Sequence, residues 1–443
     1  MSLSIGGGNL PRAAAPSRRR LLRWLGVVSA LGVAGGAPAA CSDQRAAPPS
    51  SAGAGRVEFW QLYQNSPAAP QLKELFARKR PNVQVEWVDV PAGDQPGKLT
   101  VAAAGGTPPD LSSITAPFFG DTSRFYLPLD PFLKRDARQI DADDWLPIWR
   151  QASVRKGKTL GLPLEVAVRG WWFIRVLLQE RGLPLPTRPG APAKVDYKQV
   201  EEMAQKLTFT RGEVQIYGLW VTRGWWDVLT YVYGFGGAFL DADHTRCLLD
   251  SPPAAAGLEY AYDLVARRRY GPESGGIDQH ESEGTIAMAL QNAARAQNLR
   301  RLQTGTQWDT GPVVQGPAAP MAFQFVHQTG VVAGGKNPEG AWQIAAEYTG
   351  KDATRAWMEA HGWPTARKSY LETYVKEGVA PPDARANITE WIKVAPVLQF
   401  PVGYTANVAP IATRLVNEMN AGQRTPKDAA AALGREITPV LEK

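Results

Sequence analysis

The order of short apolar segments after residue 56 constrains the fold of this chain more than any other feature. "VEFW" (Val57–Trp60) has the character of a strand. Leu72, Leu75 and Phe76 then recur at i, i+3 and i+4, one face of a helix that ends before Pro81. In "NVQVEWVDV" (Asn82–Val90), Val83, Val85 and Trp87 alternate and fall on one side of a strand. Gln95–Ala104 reads as a second helix running to Gly105-Gly106, and "PDLSSI" (Pro109–Ile114) as a third strand. This alternation builds a parallel sheet covered by helices, an α/β architecture. Ligands of such sheets sit beyond the carboxyl ends of the strands. Those ends carry Trp60, Gln61, Tyr63, Gln64, Ser113 and Thr115.

A second block follows. Asp196 with Gln199 three residues on is a helix start, continued by Val200, Met203, Ala204 and Leu207. "IYGLWV" (Ile216–Val221) reads as a strand, and Leu229–Phe235 precedes a Gly236-Gly237 turn. Ser251–Ala266 reads as a helix with Pro252 and Pro253 in its first turn. In "QTGVVAGGKNPEGAWQIAAEYT" (Gln328–Thr349) a short strand leads to a helix with Asn337 as N-cap and Pro338 at its first position; Thr425-Pro426 starts the last helix by the same rule.

Between the blocks lies "GKTLGLPLEVAVRGWWFIR" (Gly157–Arg175), apolar enough for a buried strand yet carrying Glu165 and Arg169, with Trp171 and Trp172 after Gly170. A charge inside a core is costly unless paired. The two side chains therefore pair with each other, reach water, or meet a ligand.

The formal net charge of +7 would suit a nucleic-acid or membrane surface, but its distribution does not. Five arginines (12, 18, 19, 20 and 23) stand in residues 1–40 beside no acid; without them 44 basic residues face 42 acidic ones. No later basic run is interleaved with aromatics, so a nucleic-acid partner is not expected. Residues 1–40 have the layout of a secretory signal: "SRRRLLR" (Ser17–Arg23), a modest apolar run (Trp24–Val33) and the small residues of "APAAC" (Ala37–Cys41). The arginine stretch resembles the twin-arginine export motif, with an ordinary secretory signal as the alternative. Cys41, followed by a Pro/Ser/Gly/Ala tether over residues 41–56, resembles the acylated cysteine of a bacterial lipoprotein; the other outcome is cleavage at Ala37-x-Ala39 and a soluble protein. Cys247 is the only other cysteine, which leaves no disulfide framework.

Several chemistries find no footing. Gly157-Lys158-Thr159 ends like a phosphate-binding loop, but Ala152 stands where its first glycine belongs. Phe239 replaces the third glycine of a dinucleotide fingerprint beginning at Gly234. The four histidines (His244, His280, His327, His361) are scattered, and no GxSxG occurs. A carboxylate pair such as Glu165 and Asp309 would suit a glycosidase, but nothing in the sequence fixes their separation. No enzymatic activity and no cofactor are expected.

Six segments in order carry a resemblance: "VEFWQLY", "GGTPPDL", "GKTLGLPLEVAVRGWWFIR", "YGFGGAFLD", "SEGTIAMAL" and "VVAGGKNPEGAWQIAAEYT". From Val57 onward the chain resembles the extracellular solute-binding proteins of family 1, the maltose-binding-like receptors of ABC importers. It departs at Glu281, where the family has Phe, and at Phe173-Ile174-Arg175, where the family has Tyr-Asn-Lys. The resemblance implies a two-lobed periplasmic binding protein fold, each lobe a sheet flanked by helices, with a ligand cleft between lobes joined by crossing strands. Residues 57–165 and 321–365 would form one lobe, and residues 166–320 and 366–443 the other. On a crossing strand with no sheet neighbour on one side, Glu165 and Arg169 would face the cleft.

The implied activity is capture of a carbohydrate by lobe closure and its delivery to an ABC permease, by a monomer in the periplasm or on the outer face of the membrane. The alternatives are a receptor of the same fold that signals to a membrane sensor, or a secreted carbohydrate-active enzyme. Trp225 and Trp226 stand where the family offers an aromatic ring to a sugar; the competing role is core packing. Gln291, Asn292 and Arg295 follow "IAMAL", which is open between strand and helix. Trp60, Tyr63, Gln64, Ser113, Trp308, Trp363, Asp309 and Tyr404 complete the candidates.

Overall fold

The computed structural model describes residues 53–61, 66–186, 194–221, 224–273, 276–293, 295, 308–362, 364–377 and 382–441. Cys41 and the leader, Tyr63, Gln64 and Trp363 lie outside the described residues.

The first block folds as its pattern predicts. Strand β1 is Gly55–Gln61, helix α1 Ala69–Lys79, β2 Val83–Asp89, α2 Gln95–Ala104 and β3 Leu111–Ile114. β1 pairs in parallel with β2 on one side and β3 on the other. β1 starts two residues earlier than the apolar run suggests, because its ladder with β2 opens at Gly55 opposite Val83. A short helix, α3 (Ala116–Thr122), leaves the carboxyl end of β3.

The charged stretch is one long strand, β4 (Leu162–Ile174), buried along its whole length. Beyond it lie α4 (Tyr197–Lys206), α5 (Leu229–Gly234) and α6 (Pro252–Ala266), then β5 (Met288–Asn292), β6 (Trp308–Thr310) and β7 (Gln324–Val331). α4 opens on a complete capping box, Asp196 with Gln199. "IAMAL" is thus resolved as strand. Of "IYGLWV" only Ile216 lies in a strand, the end of a short hairpin with Phe209–Arg211; beyond it single bridges form, Tyr217 to Ile286 and Trp220 to Ala289. Gly218 packs so closely on the Ala204 backbone that a Cβ would overlap it, so the segment leans on a helix instead of extending a sheet. The seven strands make one sheet in the order β5-β4-β7-β3-β1-β2, with β6 also on β4. α7 (Pro338–Tyr348), capped by Asn337, and α8 (Lys351–His361) cover the first block; α9 (Pro382–Val394), α10 (Ala409–Asn420) and α11 (Pro426–Ile437) complete the second. No helix among the described residues is long and apolar enough to cross a membrane.

Two large hydrophobic cores and one small third cluster account for most of the buried interior of the described residues. One large core gathers Phe59, Leu72, Phe76, Trp342 and Trp357, and the other Phe173, Leu229, Leu264, Trp391 and Leu433. On β4 the core changes between Leu164 and Val166; on β7 it changes between Phe325 and Val331. At the same place the β4–β7 register slips: Glu165 faces His327 while Pro163 faces Gln328, leaving Leu164 as the extra residue. Pro163 has no N–H for the ladder, which favours a bulge there.

Candidate ligand-binding site

The change of core falls where the first block's sheet ends. β3 finishes at Ile114 opposite Gln328, so Thr115, His327 and Glu165 stand in a row at its carboxyl edge. Beyond that edge β4 and β7 continue side by side. Alternation puts Glu165, Ala167 and Arg169 of β4 on one face, with His327 and Phe325 of β7 opposite the first two.

The expected gap beside β4 is absent. Glu165 bridges Thr365 through the backbone, the Val166 amide donates to the Pro364 carbonyl at 3.1 Å, and β7 pairs on the other edge. The charges are accommodated by partners instead, and the two do not pair with each other. Glu165 Oε1 lies 3.6 Å from His327 Nε2. His327 Nδ1 accepts the Ala116 N–H at 3.4 Å. Burial pushes the His327 imidazole down to about 4, so it is neutral at physiological pH. Close by, burial pushes the Tyr348 phenol up, the Ser113 hydroxyl partly offsets this, and the Glu165 charge adds to it.

Arg169 makes a buried ion pair with Asp227 through Nη2. Its guanidinium carbon lies 4.7 Å from the Trp226 ring centre and 5.1 Å from that of Phe323. Burial drives the Asp227 carboxyl up and the guanidinium down, and each charge opposes the other's shift. Nε and Nη1 of Arg169 have no hydrogen-bond partner among the described residues.

The turn that supplies Asp227 also supplies the tryptophans. The Gly224 carbonyl accepts the amides of Asp227 at 3.0 Å and Val228 at 3.2 Å. This tight turn separates three consecutive side chains. Trp225 is buried against Phe239 and Tyr404, with ring centres 5.2 and 5.8 Å away. Trp226 is half-buried beside Phe323 and Phe325. Asp227 turns to Arg169. Asn292 pairs directly opposite Arg169 across the β5–β4 ladder, on the same face.

The structure thus brings Glu165, Arg169, Trp226 and Asn292 to one face of β4; Ser113 lies on β3 opposite Thr329, and Trp225 packs into the second core. The other candidates are held elsewhere. The Trp60 indole donates to Glu58 Oε1 at 2.8 Å and packs beside the cluster of Leu99, Phe119 and Tyr126. Arg295 donates through Nε to Glu281 at 3.1 Å and through Nη2 to Asp278 at 2.5 Å. Trp308 is buried opposite Ile174, and Asp309 pairs with Arg175 at 2.9 Å. Sequence reasoning missed Asp227, His327 and Phe325. The alternation Phe323, Phe325, His327 was the available signal for the last two. Among the described residues no group of three or more His, Cys, Asp or Glu is placed to hold a metal ion.

A family model described as bacterial extracellular solute-binding protein matches residues 63–355, more than half of the chain. The chain belongs to this family. Binding proteins of Brucella abortus and Brucella suis are 24% identical to it over 407 residues, which span 86% of this chain and 93% of theirs. Among solved structures, an ABC substrate-binding protein of Listeria monocytogenes in complex with cycloalternan superposes with a TM-score of 0.75, at 18% identity over 87% of this chain and 98% of that one. The GacH receptor of Streptomyces glaucescens, solved unliganded and with acarbose, gives 0.72 at 20% identity over 88% of this chain and 100% of that one. Maltose-bound MalE3 of T. maritima gives 0.71 at 18% identity over 87% and 100%. The fold of the family member described here is accordingly the two-lobed periplasmic binding protein fold, its two cores joined by β4 and β7.

Proposed function

We propose that the protein captures a carbohydrate in the cleft at Glu165, Arg169, Trp226 and Asn292 and delivers it to an ABC permease. The observation that carries this reading is the pairing of a half-buried Trp226 ring with planar polar groups on one sheet face. The C–H face of a pyranose packs on an aromatic ring, while its hydroxyls need carboxylate, amide and guanidinium partners. Acarbose, cycloalternan and maltose are the ligands named for the similar structures, which supports the same class here.

Lobe closure is the transducing step. A ligand that touches both lobes favours the closed population by its differential affinity. The lobes follow the cores: residues 57–165 with the return after β7 to about residue 365 in one, and the remainder in the other, the return crossing lying within β7. A signal over residues 1–40 exports the chain, and Cys41 anchors it through the tether.

A thermal-shift screen over monosaccharides, oligosaccharides, polyols and sugar acids tests the substrate class. A true ligand stabilises the folded state by about 3 kcal/mol at a hundredfold excess over Kd. Stabilisation by none of these compounds at millimolar concentration would remove the carbohydrate reading.

A further inference from the structure

α3 belongs to the first lobe by its packing. Phe119 is buried there with Leu99, Ile114, Tyr126, Leu160 and Val332, a small cluster on the first block's sheet, while Ala116 at the start of the helix reaches the second core. The facing turn, Phe400 to Tyr404, belongs to the second core: Phe400, Tyr404 and Val408 pack with Ala412 and Leu415 at the start of α10. Phe119 and Phe400, held in different clusters, thus stand on two pieces that touch backbone to backbone. A Cβ on Gly120 would stand 2.8 Å from the Phe400 carbonyl oxygen and overlap the Pro401 carbonyl outright. The next residue makes the polar contact. Asp121 Oδ2 accepts the Thr405 amide at 2.9 Å and also the Thr405 hydroxyl. Beside them Gln399 donates to the Gln151 carbonyl at 2.8 Å.

We propose that Gly120 and Asp121 of α3, with Pro401 and Thr405 of the facing turn, form a latch that holds the cleft closed in the absence of ligand. The inference rests on the two-lobed fold and not on the identity of the ligand. Gly120 is the steric half, because only a residue without Cβ lets the helix meet the carbonyls. Its φ is ordinary for a helix, so close approach alone demands glycine here. Asp121 is the polar half, an acceptor for two donors of the opposite lobe. Both Asp121 and Thr405 lie at the solvent boundary, where such bonds are weak enough to break and re-form. When the lobes separate, Asp121 exchanges Thr405 for water, and the side of Gly120 that met Pro401 becomes open.

The test is a cross-link in the full chain with Cys41→Ser, without carbohydrate, so its result is independent of the substrate class. Asp121→Cys with Thr405→Cys places two thiols across the contact; Cys247 is buried, its thiol pushed up to about 12, and stays in place. Under oxidised glutathione the pair is expected to close its disulfide. Adding Gly120→Ala should slow closure by about tenfold, since the extra methyl group moves the population toward open. Gly120→Val should slow it further. The melting temperature of the Gly120→Ala single variant should hold within a few degrees, because alanine favours the helix and meets no obstacle in the open state. A pair that stays reduced, or one that closes at the same rate with Gly120→Ala, overturns the latch. So does a Gly120→Ala variant with a lowered melting temperature, the mark of a fixed contact inside one rigid body.

Discussion

Glu165 and His327 face each other across two neighbouring strands that belong to both lobes, with Oε1 and Nε2 3.6 Å apart and the second ring nitrogen taken by the Ala116 amide. Burial keeps this imidazole neutral beside the carboxylate. Its pKa near 4 lies below the ordinary 6.5, so as pH falls the unfolded chain takes up the proton before the folded one. Stability from this group is complete above pH 6.5 and is lost progressively down to about pH 4, in total on the order of 3 kcal/mol. Urea unfolding at pH 7, 5 and 4 should show this loss in the wild type. His327→Gln, which keeps an acceptor for the Ala116 amide, should lose less over the same interval. Equal slopes for the two proteins would contradict the assignment.

Trp226 and Glu165 separate a binding role from a packing role. Trp226→Ala should weaken affinity for the carbohydrate found in the screen by roughly 2 kcal/mol, and Glu165→Gln by about 1–3 kcal/mol. Calorimetric titration gives the affinities and ligand-free melting gives the control. A ligand-free loss of roughly 3–5 kcal/mol in Trp226→Ala with affinity intact would show that the ring is a packing residue.

Asp227 has no role in binding that its own contacts require; it compensates Arg169. Asp227→Ala should therefore destabilise the ligand-free protein by roughly 3–5 kcal/mol, because it leaves a guanidinium buried and unpaired. Removing both charges, as Arg169→Met with Asp227→Leu, should recover most of that loss. Denaturant midpoints of the three proteins decide, and a double variant as unstable as Asp227→Ala would refute the compensation argument.

Anchoring by Cys41 predicts a mature amino terminus that carries acyl chains and partitions with membranes. Mass spectrometry of the exported protein reads this directly. An unmodified terminus at Ala40 in the soluble fraction would exclude the anchor.

The elements whose signals are local were legible in the sequence. Asp196 with Gln199, Asn337 with Pro338 and Thr425 with Pro426 each set a helix start that the structure keeps. β5 was not decidable, because a short apolar run such as "IAMAL" has no periodicity that separates strand from buried helix. β7 begins at Gln324, four residues before the segment that reads as strand, since its first half is held by pairing with β4 and by a bridge from Gln324 to Val397. The candidate site was legible on β4, where two charges in an apolar strand demand compensation. Their partners were not, because Asp227 and His327 lie 58 and 162 residues away in the chain and no local pattern joins them. Gly170 illustrates the same limit: a Cβ there would overlap the indole of Trp391, a contact with a residue more than two hundred positions on.

β4 runs unbroken through both cores, 13 residues or about 43 Å of extended chain. A body built around shared strands cannot melt its halves separately: loss of order in either lobe strips one end of β4 and of β7 and leaves their hydrogen-bonding groups there unpaired. The expected calorimetric signature is a single transition for residues of both lobes, and two resolved peaks would argue otherwise. Stability is then a property held in common, so a damaging substitution far from the candidate site in one lobe lowers the supply of folded protein as surely as one in the other.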